Sequence, residues 1–219
     1  MCRLPGVQWV LVAMVFAASI APASAKSVQE LQEMSIGQLE SLDVTSVTKN
    51  REALSDAPAA IYVISQDAIR RSGAASVPEI LRLAPNLEVD QISASRYIIT
   101  ARGFSGNIGD QNFANQILVL IDGRTVYSPL YSGVYWDAQD VVPEDIERIE
   151  VISGPGATLW GANAVNGVIN IITKNASQTK GGLLDISAGN LEQSVSLQYG
   201  GQIDDNLAYR IYVRDYLGG

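Results

Sequence analysis

The chain has 219 residues, with 15 Lys and Arg against 23 Asp and Glu, no histidine, and a single cysteine, Cys2. Its formal charge of −8 argues against electrostatic capture of nucleic acid. Lacking histidine, and lacking cysteine beyond Cys2, it excludes Ser-His-Asp and Cys-His catalysis and most transition-metal sites. An enzyme would have to work with carboxylates, Lys, Tyr or a borrowed cofactor.

Residues 1–25 read as a secretory leader: one positive charge at Arg3, an apolar stretch from Val7 to Ile20, and a small-residue ending at Ala23-Ser24-Ala25. An uncleaved anchor is the alternative, but the apolar stretch is shorter than the roughly 20 residues a spanning helix needs. Cleavage after Ala25 leaves a cysteine-free chain that burial and hydrogen bonds alone must hold. Residues 26–50 form a polar lead-in. Ser27 with Glu30 and Ser35 with Gln38 fit capping-box spacing, and the β-branched "LDVTSVTKN" is expected to be extended.

From Ala59 the pattern turns globular. "AAIYVIS" predicts a strand, after which Ser65 caps a short helix that stops at Gly73. Ser76 and Glu79 predict a second capping box, with Ile80, Leu81 and Leu83 facing inward and Pro85 ending the helix. Extended segments follow at "NLEVDQI" and "RYIITARG", then a Gly/Asn/Ser-rich loop from Gly103 to Asn115. "QILVLIDGRTVY" predicts a hairpin with Asp122-Gly123 as a type I′ turn. A long aromatic loop comes next, and Pro143 starts a helical turn with acidic residues at its head.

"IERIEVISGPGATLWGANAVNGVINIITK" then sets two apolar runs around a glycine-rich crossover. Gly154, Gly156 and Gly161 satisfy neither the dinucleotide spacing G-x-G-x-x-G nor the P-loop, which needs Lys-Ser or Lys-Thr after its last glycine. The glycines are therefore expected to serve packing, through positive φ or close backbone approach, with Asn163 and Asn166 satisfying local backbone groups. After Lys174 three segments of roughly ten residues alternate in polarity. Leu207, Tyr209, Ile211 and Val213 oppose Arg210 and Arg214, and Val195, Leu197 and Tyr199 oppose Ser194, Ser196 and Gln198. Outer-membrane barrel strands read this way. So do the strands of a half-buried soluble sheet, and the pattern alone leaves both open.

The stretch from Ile146 to Thr173 resembles the end of the plug domain of TonB-dependent outer-membrane receptors at nearly every signature position. The resemblance continues upstream through "APAAIYVISQDAIRRSGAASVPEILRLAPNLEV", "ITARGF" and "VLIDGRTVY", covering about residues 43–175. It implies an α+β fold: a plug domain with a small mixed sheet and short helices (51–175), followed by antiparallel transmembrane-type strands of an incomplete barrel (176–219). The implied activity is TonB-dependent uptake across the cell outer membrane of scarce cargo such as a ferric siderophore or cobalamin. No catalysis, cofactor or metal site is expected.

"DVTSVT", comprising Asp43, Val44, Thr45, Ser46, Val47 and Thr48, resembles the TonB box, which adds a β-strand to TonB; an ordinary linker strand is the alternative. The resemblance places cargo contacts on loops at the plug apex. Phe104, Tyr127, Tyr131, Tyr135 and Trp136 are the candidates, although packing of these rings against the barrel wall or each other would suit them equally. Arg102 is the candidate plug–barrel contact. Ser153 stands where the family often has an arginine, which puts the usual charge lock in doubt.

The barrels of this family have about 22 strands. Three strands cannot close, and an open edge is not viable in lipid. The sequence therefore reads as a plug with the opening of a barrel. Two alternatives compete: a freestanding periplasmic plug-like binding module, and an enzyme using Asp122, Asp137 or Asp140.

Overall fold

The computed structural model describes residues 43–44, 52–53, 60–93, 96–101, 116–130, 133–139, 141–154, 160–161, 163–189, 192–204 and 207–218. The expected leader, both expected lead-in capping boxes, Thr45–Thr48, Arg102, Phe104, Tyr131 and Asp140 lie outside these residues.

Two short strands, β1 (Asp43–Val44) and β2 (Glu52–Ala53), pair antiparallel. The body is organised by a five-stranded mixed sheet in the order β3-β8-β9-β6-β7. Its members are β3 (Ala60–Ser65), β6 (Ile117–Ile121), β7 (Arg124–Thr125), β8 (Ile146–Ser153) and β9 (Gly167–Thr173). Strands β6 and β9 are parallel and the other pairs antiparallel. The near-continuous apolar run of β9 follows from its position, because a strand covered on both faces need not alternate. Period-two geometry sends Ile149, Val151, Ile169 and Ile171 to the larger core and Ile152 and Val168 to a smaller one on the opposite face.

Against the larger face lie helices α1 (Gln66–Ser72) and α2 (Val77–Leu81) and the hairpin of β4 (Leu87–Ser93) with β5 (Arg96–Ala101). The Ser65 hydroxyl accepts from Ala68 N–H at 3.3 Å, and Gly73 closes α1 at φ 66°, both as expected. The second capping box does not form. Ser76 makes no side-chain cap, and Glu79 instead pairs with Arg82 at 2.8 Å. Arg82 in turn donates to the Val89 carbonyl at 2.5 Å. A five-residue helix with Pro78 in its first turn offers few N–H groups to cap, and the Arg82 bond to Val89 fastens it to β4. The helix ends at Leu81, well before Pro85.

At the β6–β7 turn Asp122 and Gly123 have φ of 49° and 77°, the signs a type I′ turn requires. The Asp122 carboxylate accepts from Thr173 N–H at 2.8 Å and from Thr173 Oγ1 at 2.9 Å, lacing the turn to β9. Asp122→Ala removes both bonds and places a residue ill-suited to positive φ. It is expected to lower stability by about 1–2 kcal/mol, read as a shift in the urea unfolding midpoint.

In the crossover Gly154 and Gly161 take φ of 122° and 92°. A Cβ on Gly167 would meet the Ile152 carbonyl oxygen at 2.6 Å. The glycines of this stretch that lie among the described residues thus serve turns and close approach.

A separate antiparallel sheet follows: β10 (Gly181–Ala188), β11 (Glu192–Asp204) and β12 (Leu207–Gly218). Ser194, Ser196 and Gln198 are 6%, 7% and 5% exposed, whereas Val195, Leu197 and Tyr199 are 49%, 58% and 59% exposed. The polar face is covered and the apolar face is open. A water-soluble sheet packed on the same body would have the opposite arrangement.

Candidate functional site

Three regions bear on function. The first is the N-terminal strand, where β1 pairs Asp43 with Ala53 and Val44 with Glu52. The front of the candidate TonB box is thus in extended conformation beside another strand.

The second is the aromatic loop. Ser128 and Gly133 exchange backbone hydrogen bonds of 2.8 and 3.3 Å, which pinches its base. Tyr127 is half-buried and Tyr135 is exposed. Trp136 begins a 3-10 turn, Trp136–Ala138, and is buried in the larger core at 7% exposure. The structure therefore separates neighbouring rings, with Tyr135 facing outward and Trp136 inward. Trp136, Tyr97, Tyr216 and Arg214 line a cavity of about 310 Å³ between the body and β12.

The third region is where the body meets the three-strand sheet. The sequence places Arg210 and Arg214 on the polar face of β12 and names no partner for them. Here Arg210 Nε lies 3.3 Å from Asp145 Oδ2, with the carboxylate buried. Arg210 Nη1 also donates to the Lys174 carbonyl at 3.0 Å, and Arg214 donates to the Ala75 carbonyl. Asp145 belongs to the 3-10 turn Pro143–Asp145 that the proline was expected to start. Lys174 leaves the end of β9, its N–H donating to the Asp145 carbonyl at 2.8 Å and its ammonium to the Glu144 carbonyl at 2.7 Å. The turn Ala176–Gln178 is held by a capping box between Asn175 and Gln178. Thr179 then crosses beneath β11, where a Cβ on Gly200 would lie 1.9 Å from its carbonyl oxygen. The only sequence signal for this joint was the pair of arginines on a polar strand face. Ser153, the neutral departure, receives a hydrogen bond from Asn86 within the body.

Beside the joint a cavity of about 570 Å³ separates α1 from β10 and β11; its lining includes Arg70, Glu144, Lys174, Asp185 and Arg214. Burial pushes the Glu144 carboxyl above its usual 4.5, and the Asp185 charge adds to this, while a backbone hydrogen bond and Arg214 pull it back. Burial also lowers Lys174 from its usual 10.5. A raised carboxyl favours folding fully below 4.5 and loses that contribution as pH rises through the raised value. The lowered Lys174 contributes above 10.5 and loses its share as pH falls through the lowered value. Glu144→Gln is accordingly expected to leave the unfolding midpoint unchanged in acid well below 4.5 and to raise it progressively toward neutrality, as a pH series of melts would show.

The fold is thus a mixed-sheet body followed by an antiparallel sheet that turns its polar face inward and its apolar face outward. Residues 53–168 match the TonB-dependent Receptor Plug Domain, and the chain belongs to that receptor family, one of transporters rather than enzymes. It is 33% identical over 182 residues to the vitamin B12 transporter BtuB of Vibrio vulnificus, covering 82% of this chain and 27% of that protein. It is 29% identical over 184 residues to a ferric enterobactin receptor of Pseudomonas aeruginosa, covering 77% and 24%. The chain thus spans about a quarter of the length of the curated relatives it matches.

Among solved structures, the ferric-catecholate import receptor Fiu of E. coli K12 superposes with a TM-score of 0.59 at 24% identity, over 81% of this chain and 24% of that one. The alcaligin outer-membrane receptor FauA of Bordetella pertussis gives 0.62 at 17% identity, over 80% and 29%. These two likenesses bear on the fold alone.

Proposed function

We propose that this chain supplies the plug and the opening wall strands of an outer-membrane receptor that imports scarce cargo with energy from TonB. Residues 51–175 are the plug, 176–219 the wall strands, 26–50 the lead-in carrying the TonB box at Asp43–Thr48, and 1–25 the cleaved leader. The observation that carries this reading is the inverted sheet, because an apolar face left open on β10–β12 is stable only against lipid. A freestanding periplasmic module would leave that face to water.

Cargo of the ferric-siderophore or cobalamin class is contacted from the apex by Phe104, Tyr127, Tyr131 and Tyr135. Trp136, buried in the larger core, supports that loop from beneath. Arg102 contributes a contact to the wall. TonB adds its strand to Asp43–Thr48, and the short β1–β2 pairing is slight enough to yield to it.

The test is fractionation of cells expressing the native locus, with the mature mass measured. A species in the outer membrane, cleaved after Ala25, is the expected result; a soluble periplasmic species would replace this reading with the freestanding module. Capture of TonB should require Asp43–Thr48, and capture by a chain lacking those residues would return them to the status of a linker. Uptake of labelled ferric siderophores and cobalamin would assign the cargo.

A further inference from the structure

We infer that the plug is latched to the wall by a charge pair in which the plug supplies the anion, Asp145, and the wall supplies the cation, Arg210. The inference rests on the reading of β10–β12 as barrel wall.

Four observations converge on this joint. The Asp145 carboxylate is nearly inaccessible, yet its Oδ2 faces Arg210 at 3.3 Å and its Oδ1 has no hydrogen-bond partner among the described residues. Arg210 is therefore the ion-pair partner of a buried charge, and any displacement of the plug from β12 would remove it. The same guanidinium donates to the Lys174 carbonyl, so it holds the turn Pro143–Asp145 and the exit of β9 together. Four residues further along the wall strand, Arg214 donates to the Ala75 carbonyl just before α2. Finally, cavities of about 570 Å³ and 310 Å³ flank these contacts, so close packing does little to fix the plug in this corner. Two arginines bridge a loosely filled interface. A charge pair there sets the seat and its register while remaining reversible, as a removable stopper requires.

The Ser153 position contributes no charge to this seat, since Ser153 is engaged with Asn86 inside the body. The other charges near the pair are Lys174, Arg70 and Glu144, which surround it from β9, α1 and the same turn.

The test is a charge swap read by amide hydrogen exchange on the full chain in detergent. The reporter is the Lys174 N–H, which donates to the Asp145 carbonyl; the control is the Asp122 N–H, which donates to Ile171 in the sheet. Asp145→Arg alone and Arg210→Asp alone are each expected to speed exchange at Lys174 about tenfold while sparing Asp122, and the double swap to restore it to within about twofold. Absence of recovery in the double swap, or no acceleration in either single variant, overturns the latch. Should the swaps not fold, Asp145→Asn and Arg210→Gln replace them: the latch requires that the double variant exchange no faster than the faster single, and additive effects overturn it. Because this readout needs no transport, a chain absent from the outer membrane would defeat the functional reading without deciding the latch.

Discussion

Leu197→Arg is expected to keep the protein out of the outer membrane. Leu197 sits midway along β11, flanked in register by Leu184 and Val213, and all three side chains are open on the same face. If that face meets hydrocarbon, an arginine near mid-depth costs about 2–4 kcal/mol. A new charge in the middle of a three-residue apolar row cannot easily escape to either interface. The control is Ser187→Arg. Ser187 lies in register with Ser194 on the opposite face and borders the 570 Å³ cavity, where a long side chain finds room and the Asp185 carboxylate nearby. Membrane-inserted protein should fall severely for Leu197→Arg and little for Ser187→Arg. If the open face merely meets water, the ranking reverses: Leu197→Arg would be harmless and would improve solubility.

This contrast also marks what could be read in the sequence and what could not. The alternation of β11 was legible, as were the type I′ turn at Asp122-Gly123, the caps of α1 and the packing role of the glycines. Each is set by residues close together in the chain. A period of two nonetheless states only that two faces differ, not which of them turns toward the body. That choice depends on where the body lies, and the burial of Ser194 beside the exposure of Val195 decides it. The Asp145–Arg210 pair was hidden for the same reason: its members stand on different elements far apart in sequence, and nothing local to either announces the other. Ser76 failed in the opposite sense. Its local signal was clear, but a competing partner for Glu79, Arg82, was stronger. The adjacent aromatics Tyr135 and Trp136 looked alike in sequence and were separated by a 3-10 turn that aims one outward and one into the core.

Gly200→Val is the second large effect expected, and it tests the joint through backbone rather than charge. A Cβ at residue 200 would stand 1.9 Å from the Thr179 carbonyl oxygen and 2.9 Å from its carbon. Neither atom can rotate away, because Thr179 directly follows the capped turn Ala176–Gln178 and leads into the Gly181–Gly200 pairing that begins the sheet. The linker would have to lift from β11, at a cost of about 1–3 kcal/mol or more for forced overpacking. The pairing of β10 with β11 should then fray from the Gly181 end. Gly201 supplies the comparison. A Cβ there would come within 2.6 Å of the Tyr209 hydroxyl and 2.7 and 2.8 Å of ring carbons Cζ and Cε1, but all three belong to a half-buried side chain, which can turn aside as backbone cannot. Gly201→Val should therefore be mild, and amide exchange at Gly182 and Leu183 should accelerate only in Gly200→Val. Equal damage from the two substitutions would mean that strand geometry at the Gly-Gly pair, not the passage of the linker beneath it, is what demands glycine.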